Sequence, residues 1–180
     1  MLEYVILGLL MEQPMSGYDI KKTIDSTVGF FLKASYGSLY PALKRLTEKG
    51  HLSVIETENS KNKKIYTLLP SGKELFLNWL AEPLETPRNE LLGRIFFYDH
   101  LDETTREQRL TEYLYKLEQE IKGVGMVQQI VSQELAVLPN PQDYYYRVSV
   151  LYNGLNQLTM VKEWINNIKE RNDLNATNSK

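Results

Sequence analysis

The sequence predicts a mainly α-helical protein with an N-terminal winged helix-turn-helix and an all-helical, coiled-coil-like C-terminal domain. Three observations support this prediction. An amphipathic helix in residues 34–48 ends at a glycine, two short strands with a polar turn follow it, and a heptad pattern occupies the second half. A helix followed by a β-hairpin is the order in which a winged helix-turn-helix is built.

The helix in residues 34–48 has two different faces. At about 100° per residue, one side is apolar and can pack into a small core. The other side carries hydroxyl, small and basic groups, which suit a helix that enters a DNA major groove. The apolar side contains Leu39, Leu43, Leu46 and Gly50, and the other contains Gly37, Tyr40, Pro41, Lys44 and Glu48, flanked by Ser38 and Arg45.

The wing is predicted as strands in residues 52–56 and 65–69, with a polar tip in residues 58–64. Lys61, Lys63 and Lys64 lie in this tip and are predicted to grip DNA phosphates. A charged turn that is simply solvated remains the alternative for these three lysines.

Three further helices are predicted around this motif. Residues 2–10 form the first, which ends before Pro14. Ser16 and Asp19 have capping-box spacing and begin the second, and Ser71 and Glu74 begin the fourth in the same way. The fourth helix carries the apolar side chains Leu75, Phe76, Trp79 and Leu80.

The predicted DNA-contacting residues follow from this arrangement. Tyr36, Ser38, Tyr40 and Lys44 are expected to make base and backbone contacts in the groove. Tyr18 and Ser35 are expected to brace the helix-turn-helix or to touch the DNA backbone, with an ordinary solvated helix face as the alternative.

These motifs together resemble the PadR family of bacterial transcriptional regulators. The resemblance is sharp over about residues 1–80 and implies a protein that binds operator DNA as a homodimer, usually as a repressor, and releases it when a small molecule binds. The type member of the family responds to phenolic acids and represses a phenolic acid decarboxylase. The matching segments are residues 6–10, 16–20, 36–46 through Gly50, 66–68 and 71–73.

Composition limits the kinds of site and the cellular location that the protein can have. The 180 residues include no cysteine, which excludes disulfides and thiolate metal sites and favours a cytoplasmic protein. The N-terminus predicts neither a signal peptide nor a membrane span. The net charge is −2, but residues 33–73 contain eight basic and three acidic residues, so a locally basic surface is expected on an acidic protein.

The second half is predicted to begin after a proline-containing linker, which divides the chain into residues 1–82 and 83–180. Apolar residues in 91–101 predict a short helix, and Thr104 with Glu107 predicts a capping box at the start of a long one. Asn140 and Pro141 are predicted to begin the last helix.

Both long helices carry apolar residues at 4–3 spacing, typical of a coiled coil. A dimer interface and an intrachain helix pair use the same spacing, and both remain open. Seven residues are predicted to form the dimer interface, namely Leu114, Leu117, Ile121, Leu151, Leu155, Leu158 and Trp164.

An aromatic effector needs stacking surface and one cation for a carboxylate. Tyr144 and Arg147, together with Tyr18, are the candidate ligand-binding residues. A structural tyrosine cluster with a surface arginine is the alternative.

The predicted function is a dimeric repressor released by a small aromatic effector, with a phenolic acid as the candidate. A multidrug or hydrophobic-compound sensor that controls an efflux gene is the runner-up, and a non-DNA-binding adaptor is a further alternative. No catalytic residues, cofactor or metal are predicted, because the two histidines lack metal spacing and no glycine-rich phosphate loop is present.

Overall fold

A computed structural model describes residues 1–29, 32–57, 63–84 and 88–171. These residues form two compact units, Met1–Arg106 and Glu107–Lys180. Each unit is described by itself.

The first unit is built from five helices and a small sheet. Helices α1, α2, α3 and α4 surround a core that contains Ile6, Ile24, Leu43, Phe76 and Leu80, each with no exposed surface. The helices are α1 (Leu2–Leu10), α2 (Gly17–Thr27), α3 (Tyr36–Glu48), α4 (Pro70–Ala81) and α5 (Arg88–Phe96), with a short 3-10 turn at Tyr98–His100.

Helix α3 has the two faces predicted from its spacing. Leu39, Ala42, Leu43 and Leu46 are buried, and the other face is exposed. Gly50 follows the end of the helix and has a φ of 74°, a value that glycine adopts at little steric cost. Two hydrogen bonds close this end, from the Gly50 amide to the Thr47 carbonyl and from the His51 amide to the Leu46 carbonyl, as in a Schellman motif.

The sheet has three antiparallel strands in the order β1-β3-β2. They are β1 (Met15–Ser16), β2 (Leu52–Thr57) and β3 (Lys63–Leu68). The hairpin of β2 and β3 confirms the predicted wing, in which Val54 pairs with Tyr66 and Glu56 with Lys64. The short strand β1, which pairs Met15 with Tyr66, was not predicted because two residues carry no periodic pattern.

The cap of α2 agrees with the sequence prediction, whereas two other predicted caps are wrong. The Ser16 hydroxyl accepts the Asp19 amide at the start of α2. Helix α4, however, begins at Pro70 after Leu69, and the Ser71 hydroxyl instead donates to the Gly50 carbonyl at 2.6 Å. Proline favours the first helical position, where no amide proton is needed.

The other wrong cap concerns the long helix α6 (Glu103–Ala136). Thr104 does not cap it. The Thr105 amide donates to Asp102 Oδ1 at 2.9 Å, and this bond holds the pKa of Asp102 below its usual value. An ionised aspartate satisfies a free amide at a helix start better than the next available hydroxyl.

A buried arginine joins α5 to the end of α4. Arg94 is 5% exposed and donates to the carbonyls of Glu82 and Pro83 and to the carboxylates of Glu82 and Glu90. Its guanidinium also lies 5.2 Å from the ring centroid of Trp79. These contacts place α5 in the first unit, so the division at residues 106/107 lies later than the linker-based boundary at 82/83.

The second unit contains most of α6 together with α7 (Tyr145–Glu170), preceded by a 3-10 turn at Pro141–Tyr144. Asn140 precedes Pro141 as predicted, but the turn separates this start from the long helix, which therefore begins at Tyr145. Two ion pairs join the helices as an antiparallel pair, Lys169 with Glu107 (3.7 Å) and Lys162 with Glu118 (2.9 Å).

The predicted heptad residues are less exposed than their neighbours in this pair. Leu117 is 2% exposed, and Ile121, Leu151 and Leu155 are half-buried, as are Leu114, Leu158 and Trp164. The intrachain pair thus uses part of the heptad surface. The role of the seven predicted residues in a dimer stays a prediction. Several apolar side chains on the two helices remain exposed, among them Met126, Val127, Ile130, Val150 and Met160.

None of the described helices is long and apolar enough to cross a membrane.

Candidate nucleic-acid interface

A cavity of about 790 Å³ lies between the start of α2, the exposed face of α3 and the wing. Its lining residues come from β1, α2, α3, β2 and β3, and tyrosine and lysine side chains dominate its walls. The lining residues are Ser16, Gly17, Tyr18, Tyr40, Lys44, Thr47, Glu48, Val54, Lys63, Lys64 and Tyr66.

The tyrosines predicted to contact DNA lie on the surface. Tyr18 is 61% exposed, Tyr36 is 45% exposed and Tyr40 is 47% exposed. The rings of Tyr36 and Tyr40 stack with centroids 6.0 Å apart, and the ammonium of Lys21 lies 5.9 Å from the Tyr36 centroid. Aromatic rings on the first turns of α3 thus lie beside a cation that α2 supplies.

The two serines at the start of α3 form a capping box. The Ser35 hydroxyl accepts the Ser38 amide at 3.2 Å, and the Ser35 amide donates to Ser38 Oγ at 3.0 Å. Both hydroxyls therefore act on the helix start. For Ser35 this arrangement fits the predicted bracing of the helix-turn-helix, and Ser38 has the same local structural partner.

Lys63 and Lys64 are placed differently from the prediction. They lie on strand β3 and not in the turn, because the hairpin ladder extends to the pairs Glu56–Lys64 and Thr57–Lys63. Lys61, the third predicted phosphate contact, lies outside the described residues.

Carboxylates accompany the lysines of this surface. Lys64 Nζ lies 3.0 Å from Glu56 Oε1, which raises the pKa of Lys64. Lys63 Nζ lies 3.4 Å from Asp19 Oδ2. The hydrogen bond from Ser16, followed by the positive charge of Lys63, lowers the pKa of Asp19. The interface thus contains both signs of charge.

Tyr66 forms the floor of the cavity, and sequence reasoning did not select it. It is 6% exposed, and burial raises the pKa of its phenol. The alternation of β3 was the available signal, because Tyr66 and Lys64 are two residues apart and therefore share a face of the strand. Val54, opposite Tyr66 on β2, lines the same cavity.

The candidate ligand-binding residues do not form one described site. Tyr18 belongs to the cavity of the first unit. Tyr144 lines a separate cavity of about 690 Å³ between α6 and α7, with Val131, Leu135 and Leu151. The side chain of Arg147 lies outside the described part of the structure.

A neighbouring cavity of about 460 Å³ in the second unit is lined by Tyr145 and Tyr152. Sequence reasoning did not select these two tyrosines as ligand-binding residues. Within the residues described, no group of three or more histidine or acidic side chains is arranged to hold a metal ion.

These features define a winged-helix regulator. One helix presents an exposed face, a wing lies beside it, and a concave basic and aromatic surface lies between the two. Two family descriptions match the sequence. Residues 6–77 match the transcriptional regulator PadR-like family, and residues 87–172 match the C-terminal region of virulence activator alpha. Residues 6–77 belong to the PadR-like family of transcriptional regulators. This match confirms the predicted family, which is one of transcriptional regulators and not of enzymes.

The chain is also similar to proteins of known sequence and of known structure. The negative transcriptional regulator PadR of Bacillus subtilis is 35% identical over 120 residues, which cover 64% of this chain and 66% of the relative, just under two thirds of its length. Crystal structures of Bacillus subtilis PadR have been solved with operator DNA and with p-coumaric acid. The operator complex is 27% identical, with 94% of this chain and 98% of that chain covered and a TM-score of 0.46. The p-coumaric acid complex is 26% identical, with 96% of this chain and 98% of that chain covered and a TM-score of 0.42.

Proposed function

We propose that this protein is a homodimeric transcriptional repressor that binds operator DNA and releases it when a small aromatic effector binds. The observation that carries the proposal is the cavity of the first unit, where the exposed face of α3 and two wing lysines meet. The negative transcriptional regulator PadR of Bacillus subtilis, a relative by sequence, supports the repressor role.

In this proposal, α3 enters the major groove and the wing lies along the flanking backbone. Tyr36, Tyr40 and Lys44 face the groove, and Ser35 with Ser38 holds the first turn of α3 in place. Lys63 and Lys64 contact phosphates, a role that we also assign to Lys61. Because the cavity is concave and basic, it suits a sugar-phosphate strand that passes between α3 and the wing.

The homodimer is the part of the proposal assigned to residues 83–180, and residues 1–82 are assigned to DNA binding. Exposed apolar side chains on α6 and α7 support the homodimer, since Ile130 is 55% exposed, Val150 is 71% exposed and Met160 is 58% exposed. A surface of this kind commonly marks an association site. We expect the partially buried heptad residues to contribute at the edge of this surface.

A phenolic acid is the proposed effector, because the tyrosine-lined cavities of the second unit offer stacking surface and phenol hydroxyls. Two recognition helices of a dimer bind one face of DNA when they are about 34 Å apart. An effector that prefers a dimer with a different spacing would release DNA without touching α3.

A gel-shift titration tests the proposal. The probes are the DNA upstream of the protein's own gene and of any neighbouring decarboxylase or efflux gene, each with and without p-coumaric acid. A specific shift that the acid abolishes is expected. A specific shift that responds only to other hydrophobic compounds would instead identify a multidrug sensor.

A matched pair of variants separates the interface from general charge effects. Lys44→Ala removes an exposed lysine of α3 that lines the cavity. The control, Lys73→Ala, removes an exposed lysine of α4 that does not line the cavity. We expect Lys44→Ala to weaken operator binding about tenfold, consistent with one lost contact of 1–3 kcal/mol. No shift by the wild-type protein on any fragment at low salt would overturn DNA binding and favour the adaptor.

A further inference from the structure

The described lysines that line the candidate interface each face a carboxylate of their own chain. The three pairs are exposed, with between 45% and 76% of each side chain accessible to solvent. They are Lys44–Glu48 at 3.7 Å, Lys63–Asp19 at 3.4 Å and Lys64–Glu56 at 3.0 Å.

The backbone fixes two of these carboxylates in place. Asp19 lies in the first turn of α2, where its Oδ2 accepts the Ser16 hydroxyl at 2.6 Å. Glu56 lies directly opposite Lys64 in the register of β2 and β3. These positions place both carboxylates within reach of the lysines.

A DNA phosphate that binds Lys63 or Lys64 must replace these carboxylates and then lie close to them. Sequence-independent DNA binding arises almost entirely from phosphate contacts, whereas operator binding also uses contacts with base edges. A carboxylate beside each lysine therefore weakens phosphate contacts with the operator and with other DNA alike, since such contacts act almost uniformly across sequences. Because exposed ion pairs are weak, DNA can still displace them.

We infer that Asp19, Glu48 and Glu56 limit the affinity of the interface for DNA, because they compete with DNA phosphate for the lysines of the interface. This inference rests on the proposed DNA-binding function. It assigns to the acidic side chains of the interface a role in weakening DNA binding, beyond the roles of the lysines and tyrosines in binding the operator.

The test measures the affinity of the full chain for the operator and for a scrambled duplex of equal length, over a range of salt concentrations. The variants are Glu56→Gln and Asp19→Asn. Asp19 also bonds to Ser16 at the start of α2, whereas Glu56 lies on β2 and takes no part in a helix cap. The control is Glu74→Gln, which removes an exposed carboxylate from α4 and changes the net charge equally.

We expect both test variants to bind the operator and the scrambled duplex about five- to tenfold more tightly at low salt, since phosphate contacts act almost uniformly across sequences. Loss of either carboxylate should make the slope of log affinity against log salt steeper by about 0.9, as expected for one more phosphate contact. The ratio of the two affinities should change little.

Two outcomes would overturn the inference. If the wild-type protein binds its operator but both variants match Glu74→Gln in slope and in scrambled-duplex affinity, the inference is wrong and the proposed function stands. If the wild-type protein binds no duplex at low salt, the proposed function is wrong and the inference falls with it.

Discussion

The ring of Tyr40 packs directly against Gly17, the first residue of α2. A Cβ built on Gly17 would lie 2.8 Å from Cε1 of Tyr40, closer than real side chains approach. This contact joins the exposed face of α3 to the start of α2, and it fixes the Tyr40 ring at the wall of the cavity. The absence of a side chain at residue 17 therefore sets the position of a proposed DNA-contacting residue.

Replacement of this glycine should move the tyrosine. In Gly17→Ala, the Tyr40 ring must shift, because the new methyl group would occupy its place. We expect operator affinity to fall about tenfold, since one good base contact contributes about 1–3 kcal/mol. Fluorescence anisotropy with labelled operator measures this change.

The matched control for Gly17→Ala is Gly123→Ala on α6, where a Cβ would meet nothing within 4 Å. The control should keep wild-type DNA affinity and stabilise the helix by up to about 1 kcal/mol. Equal DNA affinity of Gly17→Ala and the wild type would show that the position of Tyr40 is unimportant.

The capping box of α3 should matter for both stability and DNA binding. Ser35→Ala removes the acceptor of the Ser38 amide and is expected to lower the free energy of unfolding by about 1 kcal/mol. Operator affinity should fall too, because the first turn of α3 frays. Urea unfolding and anisotropy measure the two effects, and Ser35→Thr, which keeps a hydroxyl cap, should restore most of both.

Replacement of Arg94 should destabilise the first unit. Arg94→Met keeps much of the packing against Trp79 but leaves two carbonyls and two carboxylates without their buried donor. We expect a loss of about 2–3 kcal/mol in unfolding free energy, below the 3–5 kcal/mol of a fully buried pair because both carboxylates are partly exposed. A thermal melt with unchanged midpoint would contradict this role.

The same cluster predicts a dependence of stability on pH. The hydrogen bond from Arg94, opposed by burial, holds the pKa of Glu90 below its usual value of 4.5. The ionised form therefore stabilises the fold above about pH 4.5, and this contribution disappears as the pH falls through the lower pKa of the folded protein.

Glu90→Gln tests this dependence. The variant should be less stable than the wild type at pH 7, and the two should converge as the pH falls below 4.5. Glu74→Gln, on the same unit but outside the cluster, is the matched control for the loss of one charge. A stability difference between Glu90→Gln and the wild type that stays constant from pH 7 to pH 3 would rule out this role for the Glu90 charge.

Several elements could be predicted from the sequence because their signals are local. The two faces of α3 follow from residue spacing, and the end of that helix follows from Gly50, because glycine takes a positive φ at low cost. The wing hairpin was similarly visible, although its ladder extends to Lys63 and Lys64 beyond the predicted strand. Ser16 was identified as a cap because its partner, Asp19, is three residues away.

Other features depended on which segments meet in three dimensions, and local patterns contain no information about that. Ser71 had the spacing of a cap but bonds to the Gly50 carbonyl, 21 residues away. Tyr66 looked like an ordinary strand residue, yet it forms the floor of the cavity. The heptad pattern likewise specified a helix pair but not whether the partner is another helix of the chain or a second copy.

The sequence by itself therefore determined the winged-helix class, the exposed face of α3 and the family that residues 6–77 match. Only the tertiary structure decided that Tyr40 packs on Gly17, that Arg94 ties α5 to α4, and that carboxylates accompany the interface lysines. The physical reason is the separation along the sequence of the residues that interact. Helix periodicity, caps and turns arise from neighbours within a few residues, whereas a cavity and its charges arise from side chains that folding brings together from distant segments.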